Sequence, residues 1–175
     1  MIETARQRRA QQVEAKYAAD LRRLRQAKED ELADLNKRHK LLKNTHRMEV
    51  IRIKEEFALR RLNLKTQIEH LRDQRANLRH ALSVDADTSG LGNLSDLTMQ
   101  INNLHVELIG LERKMALAMN DADGRFDQRE KELAEERRAI NKHYINQADE
   151  IHQQYLAAVE QNRQARQQEE GGAEV

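Results

Sequence analysis

The chain has no cysteine, no proline and no tryptophan, and only three Tyr and two Phe among its 175 residues. Each absence excludes something. Without cysteine there are no disulfides and no thiolate metal sites. Without proline, the residue most disruptive to a helix interior is missing. Aromatic side chains bury the largest areas, so a chain that is 3% aromatic lacks the material for an ordinary globular core. No run approaches the roughly 18 to 20 uncharged apolar residues that span a bilayer. The N-terminal MIETARQRRAQQ has no apolar stretch of the secretory kind. The expectation is a cytoplasmic protein, or one packaged from the cytosol into an assembly, with no membrane partner.

Catalytic patterns are missing too. There is no Gly-rich phosphate loop, no Ser-containing elbow and no zinc-protease helix motif. Carboxylates abound because the surface is charged, so pairing any two as acid and base is arbitrary. No enzymatic activity, cofactor, resident metal or small-molecule substrate is expected.

What is present is helix-forming material. Apolar residues make up 38% of the chain, but 21 of them are Ala, and charged residues reach 35%. That composition marks either a long helix or coiled coil, or a disordered segment, and periodicity decides between the two. In the first half Tyr17, Leu21, Leu24, Leu32, Leu35, Leu42, Val50, Ile53, Phe57, Leu64, Ile68, Leu71, Leu78 and Leu82 are linked by steps of three and four or their sums. In the second half Leu94, Leu97, Ile101, Leu104, Leu108, Leu111, Met115, Ala118 and Ala122 alternate three and four without error. Such a run is an a/d seam. It slips by one residue near Gly124, which suggests a kink or local break, and resumes with Phe126, Leu133, Ile140, Tyr144, Ile151, Tyr155 and Ala158.

The window from Ser83 to Asp96, holding Gly90 and Gly92, is the only turn-like one in the body of the chain. Four regions follow: a basic long helix over 1–82, a loop over 83–95, an acidic coiled-coil helix over 96–165 and a polar tail over 166–175. Residues 1–80 carry 21 Lys+Arg and 12 Asp+Glu, whereas the remainder carries 10 and 18. Opposite charge on the two halves favours folding back. The predicted architecture is all-α: a long two-helix antiparallel coiled-coil hairpin, with an extended in-line coiled-coil rod as the alternative. On a ten-residue loop, residue i would face about 178 − i, placing Leu97 near Leu82. A helix of this length is not stable in water through propensity alone, and two helices leave much of the stripe wet, so the chain is expected to be oligomeric.

Three further clusters carry possible chemistry. Asp85, Asp87, Ser89, Asn93 and Asp96, with Gly90 between them, resemble a calcium loop over one short segment. Gly92 stands where that loop needs an apolar residue, and Asp96 where it needs a bidentate Glu. Turn chemistry accounts for the same residues, with Asn93 or Ser95 capping the second helix. His39 and His46 share one helical face, and facing Glu132 or Glu135 would be needed to build a metal site; seam histidines that set register are the simpler reading. Arg6, Arg8, Arg9, Arg22 and Arg23 are the candidate anion contacts. Acids are interleaved along the same helix, as on a solvated face laced by i,i+4 pairs.

In size and helix–loop–helix plan the chain resembles the small coiled-coil stalk proteins of flagellar and type III export machines, and small coiled-coil proteins of phage particles. The resemblance covers the plan and no motif, so it carries no residues over. It implies a structural or adaptor role, with partners that are further copies of the chain or protein components of a larger assembly. The rival expectation is a nucleic-acid-associated protein contacting phosphates through the basic helix. A calcium-responsive helix–loop–helix at 85–96 is the third.

Overall fold

A computed structural model describes residues 2–84 and 90–171. It is helical in two elements, α1 (Ile2–Val84) and α2 (Leu91–Gly171), which pack against each other as a hairpin. The in-line alternative is therefore set aside. The continuity of α1 follows from composition. It contains neither Pro nor Gly over 83 residues, so nothing in it breaks the backbone ladder.

Both helices run further than the turn-forming window suggested. α1 continues through Ser83 and Val84, and α2 begins at Leu91. Asn93 and Ser95, expected to cap α2, therefore lie inside it. Gly90 lies against the end of α1: a Cβ there would come within 2.9 Å of Leu82 Cδ2 and 3.4 Å of Leu78 Cδ1, so a larger residue would require those Leu side chains to shift. At the other end, α2 continues through the expected polar tail to Gly171.

The shorter connection moves the register. Facing residue numbers add to about 172 (17 with 155, 46 with 126, 82 with 90), not 178. Leu82 thus meets Gly90, where the longer loop would have brought Leu97. Gly124 does not break α2, which stays helical through it. A single exposed Gly costs a helix only about 1 kcal/mol, and Ala122 and Phe126 on either side point inward.

The chain divides into two units, residues 1–41 with 129–175, and residues 42–128. In the first, Leu35 is 1% exposed and Tyr144 5%. Tyr17 stacks on Tyr155 with ring centroids 4.4 Å apart. In the second, Ile68, Ile101 and Ala122 form the buried layer. Among the described residues no buried polar or charged side chain interrupts either core.

Candidate functional site

The inner line of each unit is built from the periodic residues. Leu35, Ile68, Ile101 and Tyr144 are buried. Leu21, Leu24, Leu42, Ile53, Phe57, Leu64, Leu71 and Leu78 on α1 are half-buried, as are Leu94, Leu97, Leu104, Leu108, Leu111, Met115, Phe126, Leu133, Ile140 and Ile151 on α2. Polar residues share this line. Arg6, Lys28, His39, His46 and Arg75 are half-buried in it. Long cationic side chains manage this by laying their stems on apolar surface and keeping the charge wet.

Charge joins the helices along the flanks of each unit. In the first, Arg6 reaches Glu169 at 3.2 Å and Glu170 at 3.1 Å, and Arg9 reaches Glu169 at 3.6 Å. Arg38 grips Glu136 with two N–H donors, at 2.5 and 2.9 Å. This fork holds the Glu136 carboxyl below the usual carboxylate range, against the opposing pull of partial desolvation, and raises the Arg38 guanidinium. Arg137 donates to Asn36, and the Tyr144 hydroxyl donates to Glu31 Oε1 at 3.0 Å. Burial first, then the neighbouring Glu31 and Asp30 charges, pushes the Tyr144 phenol up. In the second unit, Arg125 donates to Glu49, and Arg61 lies 3.5 Å from Glu112. Exposed pairs of this kind contribute little to stability. Their consequence is register and orientation.

The candidate anion contacts divide. Arg6 and Arg9 are engaged by α2 carboxylates, and the Arg6 side chain is only 25% exposed. Arg8, Arg22 and Arg23 are exposed.

The two seam histidines lie beside Glu130 and Asp123. His39 Nε2 donates to Glu130 Oε1 at 3.0 Å within the first unit. His46 Nε2 lies 3.2 Å from Asp123 Oδ1 in the second, its ring stacked on Phe126 at 4.4 Å and its Nδ1 buried without a hydrogen-bond partner. One carboxylate and one imidazole make a dyad. Among the described residues no three of His, Asp and Glu come together to hold a metal ion. Of the calcium-like cluster, Asp85, Asp87 and Ser89 lie outside the described residues, while Asn93 and Asp96 are exposed on the first turns of α2.

A second set of apolar residues lies away from the inner line, and periodic reading of the seam passed over it. On α1 within residues 42–128, Met48 is 64% exposed, Leu59 70% and Leu62 63%, with Ile51 beside them. On α2, Met99 is 60% exposed, Val106 69%, Ile109 53% and Leu117 63%. Each sits about two residues from an inward position, which on a helix is nearly the opposite side. Among the described residues, ten of the large exposed apolar side chains fall in the 42–128 unit, whereas the other contributes Leu41, Ile145, Leu156 and Val159. The asymmetry places the candidate docking surface on the 42–128 unit. The sequence signal for it is a second helical period two residues out of phase with the first.

An open groove lies between Phe57, Arg61, Leu62, Lys65 and Met115 in this unit. Among the described residues no helix is long and apolar enough to cross a membrane. No protein-family model matches the chain, and neither does any curated protein or solved structure.

Proposed function

We propose that the chain is a non-enzymatic structural or adaptor protein, a coiled-coil hairpin that self-associates and docks within a larger macromolecular assembly. The observation that carries this reading is the outward apolar stripe of the 42–128 unit. Side chains of Met, Leu, Ile and Val that stay 53–70% exposed while pointing away from their only helical neighbour fit a surface covered by another protein. The proposed setting is the cytoplasm, or a particle assembled from it.

The alternative is a nucleic-acid-associated protein using the basic helix. Arg6, Arg9, Arg38 and Arg61 spend their charge on α2 carboxylates, which weakens that case. Affinity capture from the native source, with and without nuclease, tests the choice. A defined protein set that survives nuclease is expected. Recovery that collapses with nuclease transfers the function to the basic helix, and a chain that recovers nothing and stays monomeric overturns the proposal.

A further inference from the structure

The two flanks of the 42–128 unit, where α1 and α2 lie edge to edge, carry different charge. On one flank α1 steps by threes and fours through Lys54, Arg61, Lys65, Arg72 and Arg79, with Ala58 and Ala76 between them and Glu69 the single acid. Arg61 lies 3.5 Å from Glu112, and Arg72 donates to His105 Nε2 at 3.2 Å, which sets this series beside α2. The facing steps of α2 are Thr98, Asn102, His105, Ile109, Glu112 and Ala116, again with one acid. Among the described residues no carboxylate pairs with Lys54, Lys65 or Arg79. On the other flank the same stretch of α1 has Glu56 and Arg60, which pair with each other at 2.9 Å, and then the uncharged Asn63, Gln67 and Gln74. The surplus of positive charge is confined to one side.

That side is also recessed. Lys54, Arg61 and Lys65 border a groove of about 280 Å³ whose apolar surface comes from Phe57, Leu62 and Met115. Charge and shape together describe the occupant. Unpaired cations along a docking edge are complemented by carboxylates. An apolar floor between two packed helices is complemented by the apolar face of a third, and the cationic series runs about 38 Å along it. A nucleic-acid backbone would meet the cations and leave the floor uncovered, and Phe57, the one ring lining the groove, is half-buried and gives a base little to stack on. A second copy of the chain is less suited too. In the acidic stretch of its α2, Asp123, Glu130 and Glu136 already meet His46, His39 and Arg38.

We infer that this flank docks an acidic amphipathic helix of a partner protein, its apolar face on Phe57, Leu62 and Met115 and its carboxylates along Lys54, Arg61, Lys65, Arg72 and Arg79. The inference rests on the adaptor reading above and names the chemistry of the partner.

Site-specific photo-crosslinking in the native source tests it, with benzoylphenylalanine placed at Ala58 in the groove or at Gln67 on the opposite flank. The probe at Ala58 is expected to join a segment of another protein that is rich in Asp and Glu and has apolar residues at helical spacing. The probe at Gln67 is expected to leave that segment untouched. Lys54→Glu/Lys65→Glu should lower the Ala58 adduct at least tenfold, whereas Lys54→Arg/Lys65→Arg should retain it. Both lysines are exposed, so helical circular dichroism should be unchanged in each variant. The adduct should also weaken as salt is raised. An adduct to a second copy of the chain, to nucleic acid, to lipid or to a segment without acids overturns the inference. So does no adduct at Ala58, or one indifferent to Lys54→Glu/Lys65→Glu. If the chain still captures a nuclease-resistant protein set in that event, only this inference fails; if capture is lost as well, the adaptor reading fails with it.

Discussion

Truncating Leu35 to Ala should unfold the 1–41/129–171 unit preferentially, and truncating Leu62 should leave the hairpin intact. Leu35 is 1% exposed and is the largest fully enclosed side chain among the described residues, whereas Leu62 is 63% exposed. Leu-to-Ala changes in close-packed cores cost about 2–5 kcal/mol, the spread reflecting how well the site collapses. A layer of two helices has solvent on its flanks, so neighbours relax into the gap, and the loss at Leu35 is placed at about 2–3 kcal/mol. At Leu62 most of the side chain is already in water, and the cost to the isolated hairpin is below about 0.5 kcal/mol. Urea unfolding followed by far-ultraviolet circular dichroism gives the totals. Amide hydrogen exchange is needed beside it, because a chain of two units need not unfold as one transition. The expected pattern is lost protection around Leu35 and Tyr144 in Leu35→Ala, with Ile68 and Ile101 much less affected. A Leu35→Ala variant within 0.5 kcal/mol of the parent, or a Leu62→Ala variant as damaged as Leu35→Ala, would refute the division into an inner line and an outward stripe.

Two predictions concern pH. Folding lowers the Glu136 carboxyl through Arg38, so its stabilisation is present above the ordinary carboxylate range and is lost as pH falls through the depressed value; the thermal-stability gap between parent and Glu136→Gln should therefore close in acid, and a gap independent of pH contradicts it. Folding raises the Tyr144 phenol through burial and Glu31, so that contribution is complete below the ordinary tyrosine range and is lost as pH rises through the raised value. In a Tyr17→Phe/Tyr155→Phe background, ultraviolet titration should show Tyr144 ionising late and Glu31→Gln bringing it down, whereas ionisation at the ordinary value removes the buried hydrogen bond from the account.

The helical hairpin is legible in the sequence because its main signals agree. No Pro interrupts either half, Gly clusters near the middle, apolar residues recur at helical spacing, and the halves carry opposite charge. The details that escape depend on exact close contacts. Asn93 and Ser95 are good caps by residue type, yet α2 begins before them at Leu91. The facing register, and with it the acid beside each of His39 and His46, depends on side-chain contacts between the helices that spacing along one chain does not display. Gly124 is a local helix weakener overruled by the inward packing of Ala122 and Phe126. The outward stripe was equally present in the sequence, as a second period behind the first. A search for one buried face assigns such residues to the background, because single exposed apolar side chains are ordinary on protein surfaces.

The distribution of apolar residues between the two faces runs against what stability of the lone hairpin would favour. Arg6, Lys28, His39, His46 and Arg75 occupy half-buried inner positions where Leu or Ile would contribute more burial. Meanwhile Met48, Leu59, Leu62, Met99, Val106 and Leu117 point outward, where each contributes little to a two-helix fold. Exchanging the two sets would give a more stable hairpin with a polar exterior. The existing arrangement instead makes the inner line adequate and directional, its polar members limiting alternative registers. It makes the outward line costly to leave in water. That combination is what the proposed docking role would use, so the residues that stabilise the hairpin least are those on which the proposed function depends most.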